Sequence, residues 1–520
     1  MINSKISLLT FCVIGASCGS SSLYADIYDG TPQKLIATHS NKCMDIRPPK
    51  TTSDSAIVQM SCSSDIFQKW KAISLGNNEF QIVSAGSGMC LDVSGASKMN
   101  GGLIKQSGCV TGRANQTWYI KQIYPDTYQI VSKNSAKCID VTNASTADNV
   151  QLQQWDCGTN GNQLWRAEIG LTPSPPIVIN GQSNVTISNV KISNPAGPCI
   201  LVKGNSKNIT IKNSELGPCK TDFAHPMPDL TNVGAGVFVI DSGNVTVNNI
   251  NVHDTDDAGV TIFYGSDYLV SNSQFTKINS NAVKVQGSAN VTIQNNKINT
   301  VTSGIYVATT TNVKVLKNNL AHMQGKPHAN FIQFNQVNGT GNRIMCNIGL
   351  QDAYGTPNTL DSIEDDISLY KSKGTITDPI LVVGNKVKNG GPSGTGSGIM
   401  LGDNGGTNII ARDNVVVNTG NLGMAMSGGT NIQLVNNKIF STYFPITHNA
   451  LAVWNYNMGT VICDNVTATG NQVNWTDAWG PETTIWTNGT CSNTHFSSNT
   501  FQDARITAAL FDTYTSPECS

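Results

Sequence analysis

The stretch Asn281–Asn319, NAVKVQGSANVTIQNNKINTVTSGIYVATTTNVKVLKNN, decides the fold. Short β-branched strands (Val283 to Val285, Val291 to Ile293, Ile305 to Val307, Val313 to Val315) alternate with Asn, Gly and Ser turns, and Val291 recurs as Val313, 22 residues on. A repeat of that length, built from strands alone, predicts a parallel β-helix, in which one coil gains a core only from stacked neighbours.

The phrase recurs at Asn184-Val-Thr-Ile187, Asn208-Ile-Thr-Ile211, Asn244-Val-Thr-Val247, Asn290-Val-Thr-Ile293, Asn312-Val-Lys-Val315, Asn408-Ile-Ile-Ala411 and Asn431-Ile-Gln-Leu434. The array therefore runs from Val185 to about Asn474. Side chains alternate along a strand, so Val283 and Val285 point into the coil and Lys284 and Gln286 point out. Asn tolerates the left-handed backbone of a turn and can bond its counterpart one coil away, which gives the repeated Asn a structural reason.

Composition narrows the partners. A formal net charge of -1 and 13% charged residues, against about 25% in an ordinary domain, argue against nucleic acid. Residues 1–25 hold a lone Lys5, an apolar run from Ile6 to Ala16 and Leu23-Tyr24-Ala25, the pattern of a secretory signal peptide. Beyond it no run is apolar enough for a transmembrane segment, so a secreted, extracellular or periplasmic monomer is expected. Cys12 and Cys18 fall in the leader, leaving twelve of fourteen cysteines, an even number that suits an oxidising compartment.

Cys43 and Cys62, Cys90 and Cys109, and Cys138 and Cys157 are each 19 apart, and the pairs repeat every 47 to 48 residues. Each unit carries Cys43-Met-Asp-Ile46, Cys90-Leu-Asp-Val93 or Cys138-Ile-Asp-Val141 in front and Gln68-Lys-Trp70, Gln116-Thr-Trp118 or Gln163-Leu-Trp165 behind. Residues 26–169 thus resemble the ricin B-type lectin family. The resemblance implies a β-trefoil of three QxW repeats that binds carbohydrate, with three disulfides and with Trp70, Trp118 and Trp165 as core. In such a repeat a carboxylate after the first Cys accepts from sugar hydroxyls, and an aromatic two residues before the second Cys stacks on the sugar. Only the third repeat is complete, with Asp140, Trp155, Asn162 and Gln163; the second has Ser107 and the first Met60 at the aromatic position.

Residues 170–177, with Leu171-Thr-Pro-Ser-Pro-Pro176, read as a semi-rigid spacer. Residues 178–520 resemble the pectate lyase-like superfamily of right-handed parallel β-helix proteins, which includes lyases, hydrolases and epimerases of polysaccharides. That resemblance concerns the fold, so the site is argued from residues.

The period breaks between Val313 and Ile380, and long loops on a rigid scaffold are where function concentrates. There Ile367 and Leu369 fit inward positions, which predicts Asp366, Ser368 and Tyr370 outward with Glu364 beside them. Glu364, Asp365 and Asp366 are candidate acids, bases or cation ligands, and Tyr370 and Lys371 candidates for proton transfer. Gln333, Asp403 and His328 are candidate substrate contacts, and calcium is a candidate cofactor. The predicted register aligns Lys284, Tyr306, Gln333, Ser368 and Met400 in one outward column, and Gln286, Asn335 and Tyr370 in the next.

Asp254-Thr-Asp-Asp257 is similar to the paired aspartates of polygalacturonases, but that family's Asn-Thr-Asp segment and Gly-His-Gly turn are absent. Cys199 with Cys219 and Cys463 with Cys491 are expected disulfides; Cys346 and Cys519 stay unassigned. Trp454, Tyr456, Trp475, Trp479 and Trp486 are expected to cap the last coil. Two functions stay open: a polysaccharide lyase or glycoside hydrolase with a lectin module, or a non-catalytic adhesin for polysaccharide or glycoconjugate.

Overall fold

The computed structural model describes residues 30–124, 127–225, 231–325, 329–352, 363–390 and 395–519. The leader and His328 lie outside them. The chain divides into two units, residues 1–169 and 170–520.

The first unit is a β-trefoil, four strands to each repeat. The last strand, Trp165–Ile169, returns to pair antiparallel with the first, Gln33–Ala37, so the sheet closes on itself. Trp70, Trp118 and Trp165 are fully buried, and each indole N–H donates to a backbone carbonyl, of Met44, Leu91 and Ile139 respectively. A second triad ties repeat to repeat. Buried Gln59, Gln106 and Gln154 each donate Nε2 to two carbonyls of a neighbouring repeat, such as Ser97 and Met99 for Gln154. Disulfides Cys43–Cys62, Cys90–Cys109 and Cys138–Cys157 close the three repeats.

The second unit is a stack of parallel strands. One interior column runs Val237, Val260, Val283, Ile305, Ile332, Ile367, Ile399, Met424 and Leu451, one residue per coil. The stack begins earlier than the repeats suggest. Thr172–Ser174, inside the stretch read as a spacer, pairs in parallel with Val190–Asn194, and the N–H of Thr172 donates to Asn189.

Asparagine ladders line the stack. The repeated turn Asn bonds its counterpart as expected: Asn208 donates to Asn184, Asn312 to Asn290 and Asn431 to Asn408, each with φ between 50° and 61°. A second ladder is buried and was not foreseen. Asn296, Asn318, Asn347, Asn385, Asn414, Asn437 and Asn471 each pass Nδ2 to the next Oδ1 at 2.9 to 3.0 Å. Each also caps a carbonyl of the previous coil, so both amide hydrogens of each are used.

Cys199–Cys219 and Cys463–Cys491 are bridged, and Cys346 pairs with Cys519. The last bridge holds the helix Leu510–Thr513, whose Phe511 packs on Val415 and Val417. Of the expected capping aromatics, Trp475 is buried in the core, but Tyr456 and Trp479 are exposed. The strand Ser492–Ser497 stays exposed along its length. Among the described residues no helix is long and apolar enough to cross a membrane.

Candidate functional site

In the third trefoil repeat Asp140 pairs with Gln153 across two antiparallel strands, and Cys138 pairs with Trp155. Residues two apart share a face, so Trp155 rises beside Asp140. Asp140 is buried; its Oδ2 accepts from Asn162 Nδ2 at 2.7 Å and Gln163 Nε2 at 3.0 Å, and its Oδ1 from Gln153 Nε2 at 2.9 Å. Trp155 is 44% exposed. This is a fixed acceptor beside an open aromatic face.

The other repeats differ. In the second, Asp92 accepts from Asn115 and Gln116, but Ser107 offers no ring. In the first, Lys50 bonds both Asp45, at 2.9 Å, and Asp65, at 2.6 Å, and lies 5.5 Å from the centre of Phe67, which stands where the other repeats have Asn. An internal cation fills that position.

In the β-helix the predicted columns form: Lys284, Tyr306, Gln333, Ser368 and Met400 are successive partners, as are Asn335 and Tyr370. The acidic strand Ile363–Tyr370 departs from simple alternation. Ala329 faces Ile363 and Asn330 faces Asp365, so Glu364 is an extra residue in a bulge. Gly396 makes room for it: a Cβ there would lie 1.4 Å from the Glu364 carbonyl oxygen. A second shift, between Ser368 and Tyr370, brings Asp403 opposite Tyr370.

Asp366 does not face outward. It occupies the coil position held elsewhere by Gly236, Gly259, Ala282, Gly304, buried Phe331, Gly398, Gly423 and Ala450, each one residue before the interior column. A Cβ added at Gly304, Gly398 or Gly423 would strike Leu320, Val416 or Ile439 from the facing wall, so this corner points inward. Asp366 is 1% exposed, and among the described residues neither carboxylate oxygen has a hydrogen-bond partner. Burial, then repulsion from Asp365, pushes its carboxyl well above the usual range. Asp365 is buried too; burial raises it to about 7 despite hydrogen bonds from the Ser397 N–H and hydroxyl, with Asp403 and Glu364 adding repulsion.

The half-buried groups of this coil are Glu364, Tyr370 and Asp403, with Lys371 exposed beside them. Burial, then the Glu364 charge, raises Asp403, and Lys371 partly offsets this. Tyr370 Oη accepts from Asn404 Nδ2 at 2.9 Å, and Lys371 Nζ sits 5.1 Å from the Tyr370 ring centre. Lys371 also lines a cleft of about 670 Å³ together with Lys373, Asn404 and Thr407. The sequence reading missed Lys373 and Asn404 because the turn that gathers them has no periodic signal.

The second acidic group is engaged elsewhere. Asp254 bonds His253 at 2.7 Å and Asp256 bonds Lys220 at 2.9 Å. From Val260 the register counts four coils to Ile367, roughly 19 Å at about 4.8 Å per strand. Among the described residues no three of His, Cys, Asp and Glu gather to hold a metal ion. The acidic coil could offer calcium the carboxylates of Glu364 and Asp403, short of the roughly six to eight oxygens that ion takes.

Comparison with known proteins gives two family matches: residues 31–165 match the ricin-type beta-trefoil lectin domain, and residues 176–362 the right handed beta helix region. No curated protein matches the chain. Among solved structures, the designed threefold-symmetric protein ThreeFoil is 34% identical over 27% of this chain and 99% of its own, with a TM-score of 0.26. The exo-beta-1,3-galactanase 1,3Gal43A from Clostridium thermocellum is 33% identical over 27% of this chain and 30% of its own, TM-score 0.26. The ricin B-like lectin of Macrolepiota procera, in complex with lactose, is 17% identical over 28% and 99%, TM-score 0.25.

Proposed function

We propose, for a chain that carries a ricin-type β-trefoil lectin domain followed by a right-handed β-helix region, that the trefoil binds glycan through its third repeat and the β-helix cleaves or modifies a polysaccharide at its acidic coil. The observation that carries the reading is the third repeat, where Asp140 is held by Asn162 and Gln163 beside an exposed Trp155. Sugar hydroxyls donate to the carboxylate and the C–H face of the ring stacks on the indole.

At the acidic coil the chemistry falls to the half-buried groups. Asp403, whose carboxyl is raised by burial, is positioned to give a proton to a leaving oxygen, while Glu364 activates water or attacks. For a uronate substrate Lys373 pairs with the sugar carboxylate and Lys371 or Tyr370 takes the C5 proton; the C4–O bond breaks as the double bond forms, and the leaving oxygen takes a proton from Asp403 or water. Asp365 and Asp366 lie inside and act as positioning residues, their burial and the Asp365–Ser397 bonds shaping the strand that carries Glu364.

The adhesin reading keeps one specific support: the two most perturbed carboxyls of the coil are enclosed and not presented to solvent. Incubating the purified chain with neutral and uronic polysaccharides, with and without calcium, separates the two. New reducing ends mean hydrolysis, and new ultraviolet absorbance from unsaturated ends means elimination. Bound but unchanged glycan, with no epimerised product, favours the adhesin.

A further inference from the structure

Near the end of the β-helix a second aromatic site opens on the outward face. The column that passes through Gln333, Ser368 and Met400 continues to Ala425, Ala452 and Trp486. Met400, Leu422, Ala425 and Ala452 form a small apolar cluster separate from the main core, with Trp454 packed against it. Above this floor lies a cavity of about 460 Å³, walled by Trp454, Trp479, Trp486 and His448, within the range typical of small-ligand sites.

The rings meet at an angle and do not stack face to face. Trp454 and Trp486 meet at 69° with centroids 6.0 Å apart, and His448 and Trp479 at 48° and 5.5 Å. Trp479 is 78% exposed and Trp486 42%. Capping does not account for them, since Trp475 fills the core of that coil and bonds the His448 carbonyl at 3.1 Å.

Two polar features distinguish this slot from a greasy groove. Asn421 lines it, and its buried Oδ1 has no hydrogen-bond partner among the described residues. A buried acceptor left unpaired costs about 1–3 kcal/mol, which a ligand hydroxyl recovers. Asn449, also on the wall, donates to Glu482 Oε1, while Glu482 Oε2 accepts from the Ala450 N–H at 2.6 Å, so the carboxylate is engaged behind the wall. Among the described residues no Lys, Arg, Asp or Glu lines the cavity.

We propose that this slot is a second carbohydrate site, distinct from the trefoil site and the acidic coil, and that it takes an uncharged pyranose unit of a glycan. Flat indole faces stack on the C–H face of the ring, and Asn421 Oδ1 accepts one of its hydroxyls. Among the described residues its walls hold no Lys or Arg, and His448 alone could pair with a uronate, in contrast to the lysine-lined cleft beside Tyr370.

The test uses the full chain with the trefoil site disabled by Asp140→Ala and Trp155→Ala, titrated calorimetrically with neutral hexasaccharides of several linkages and with hexagalacturonate. At least one neutral hexasaccharide should still bind, and adding Trp479→Ala or Asn421→Ala should weaken it roughly tenfold or more. Trp479 is exposed, so an unchanged melting temperature serves as the folding control. The proposal is overturned if no neutral hexasaccharide binds the disabled chain, if binding ignores both added substitutions, or if hexagalacturonate binds equally well and depends on Trp479. The slot and the trefoil reading fail separately: glycan binding that ignores Asp140→Ala and Trp155→Ala but needs Trp479 removes the latter and keeps the former.

Discussion

Ser397 is bound to Asp365 twice through one oxygen: Oδ1 accepts from the Ser397 N–H at 2.9 Å and from its hydroxyl at 2.7 Å. These bonds favour the charged carboxylate, yet burial still lifts Asp365 to about 7, and burial raises Asp366 beside it as well. Between about pH 4, the ordinary carboxyl value, and pH 7 the folded chain keeps protons that the unfolded chain has released. Stability therefore falls as pH rises through that window. Glu482, raised to about 7 mainly by burial, acts in the same sense.

Asp366→Ala isolates the effect. Ala282 and Ala450 already occupy this corner in other coils, so the methyl fits. The urea midpoint of the variant should exceed that of the parent at pH 8, by on the order of a few kcal/mol in stability, and the two should converge toward pH 4. Equal midpoints at pH 8 would mean that Asp366 has found a partner.

The buried ladder predicts an asymmetry between two kinds of asparagine. Asn347 Oδ1 accepts from both the backbone and the side chain of Asn318, and its Nδ2 serves Asn385 and the Val315 carbonyl. Asn347→Ala strands several buried groups at about 1–3 kcal/mol each. Asn312→Ala, on the exposed ladder, loses a solvated bond and pays for a left-handed alanine, about 1–2 kcal/mol. Denaturant melts should rank the first far below the second.

Cys346 and Cys519 are 173 residues apart in sequence. Replacing both by serine frees the chain end that seats Phe511, and should lower stability by about 2–4 kcal/mol. Proteolysis should then cut first near residues 505–519. If the coils around Cys346 become sensitive instead, the bridge stabilises the stack and not the tail.

At the acidic coil, Asp403→Asn should lower polysaccharide turnover by roughly 10²-fold or more, the usual loss of a general acid. Lys371→Ala should do so only for uronic substrates. Asp140→Ala should leave turnover on short soluble substrates unchanged. Equal losses in all three variants would point to folding damage and remove the assignment.

The columns through Tyr306, Gln333 and Ser368 were legible because β-branched interior residues fix strand register one rung at a time. The trefoil was legible because Cys, Asp, Gln and Trp recur together. Asp366 was misread as outward because alternation holds within a strand but fails at a corner, where Gly304, Gly398 and Gly423 mark a position that turns inward. Those glycines, each one residue before an interior Ile or Met, were the available signal. The bulge at Glu364 and the cleft at Lys373 arise from insertions of differing length, which no period encodes. The Cys346–Cys519 bridge joins distant segments through tertiary packing alone.

The third trefoil repeat carries the central claim, and a glycan array followed by titration of the full chain tests it most directly. At least one glycan should lose roughly tenfold or more in affinity with Trp155→Ala and with Asp140→Ala, while Asp92→Asn in the second repeat leaves it unchanged. If no glycan on the array binds in a way that depends on Trp155 and Asp140, the trefoil is a scaffold without a live third site.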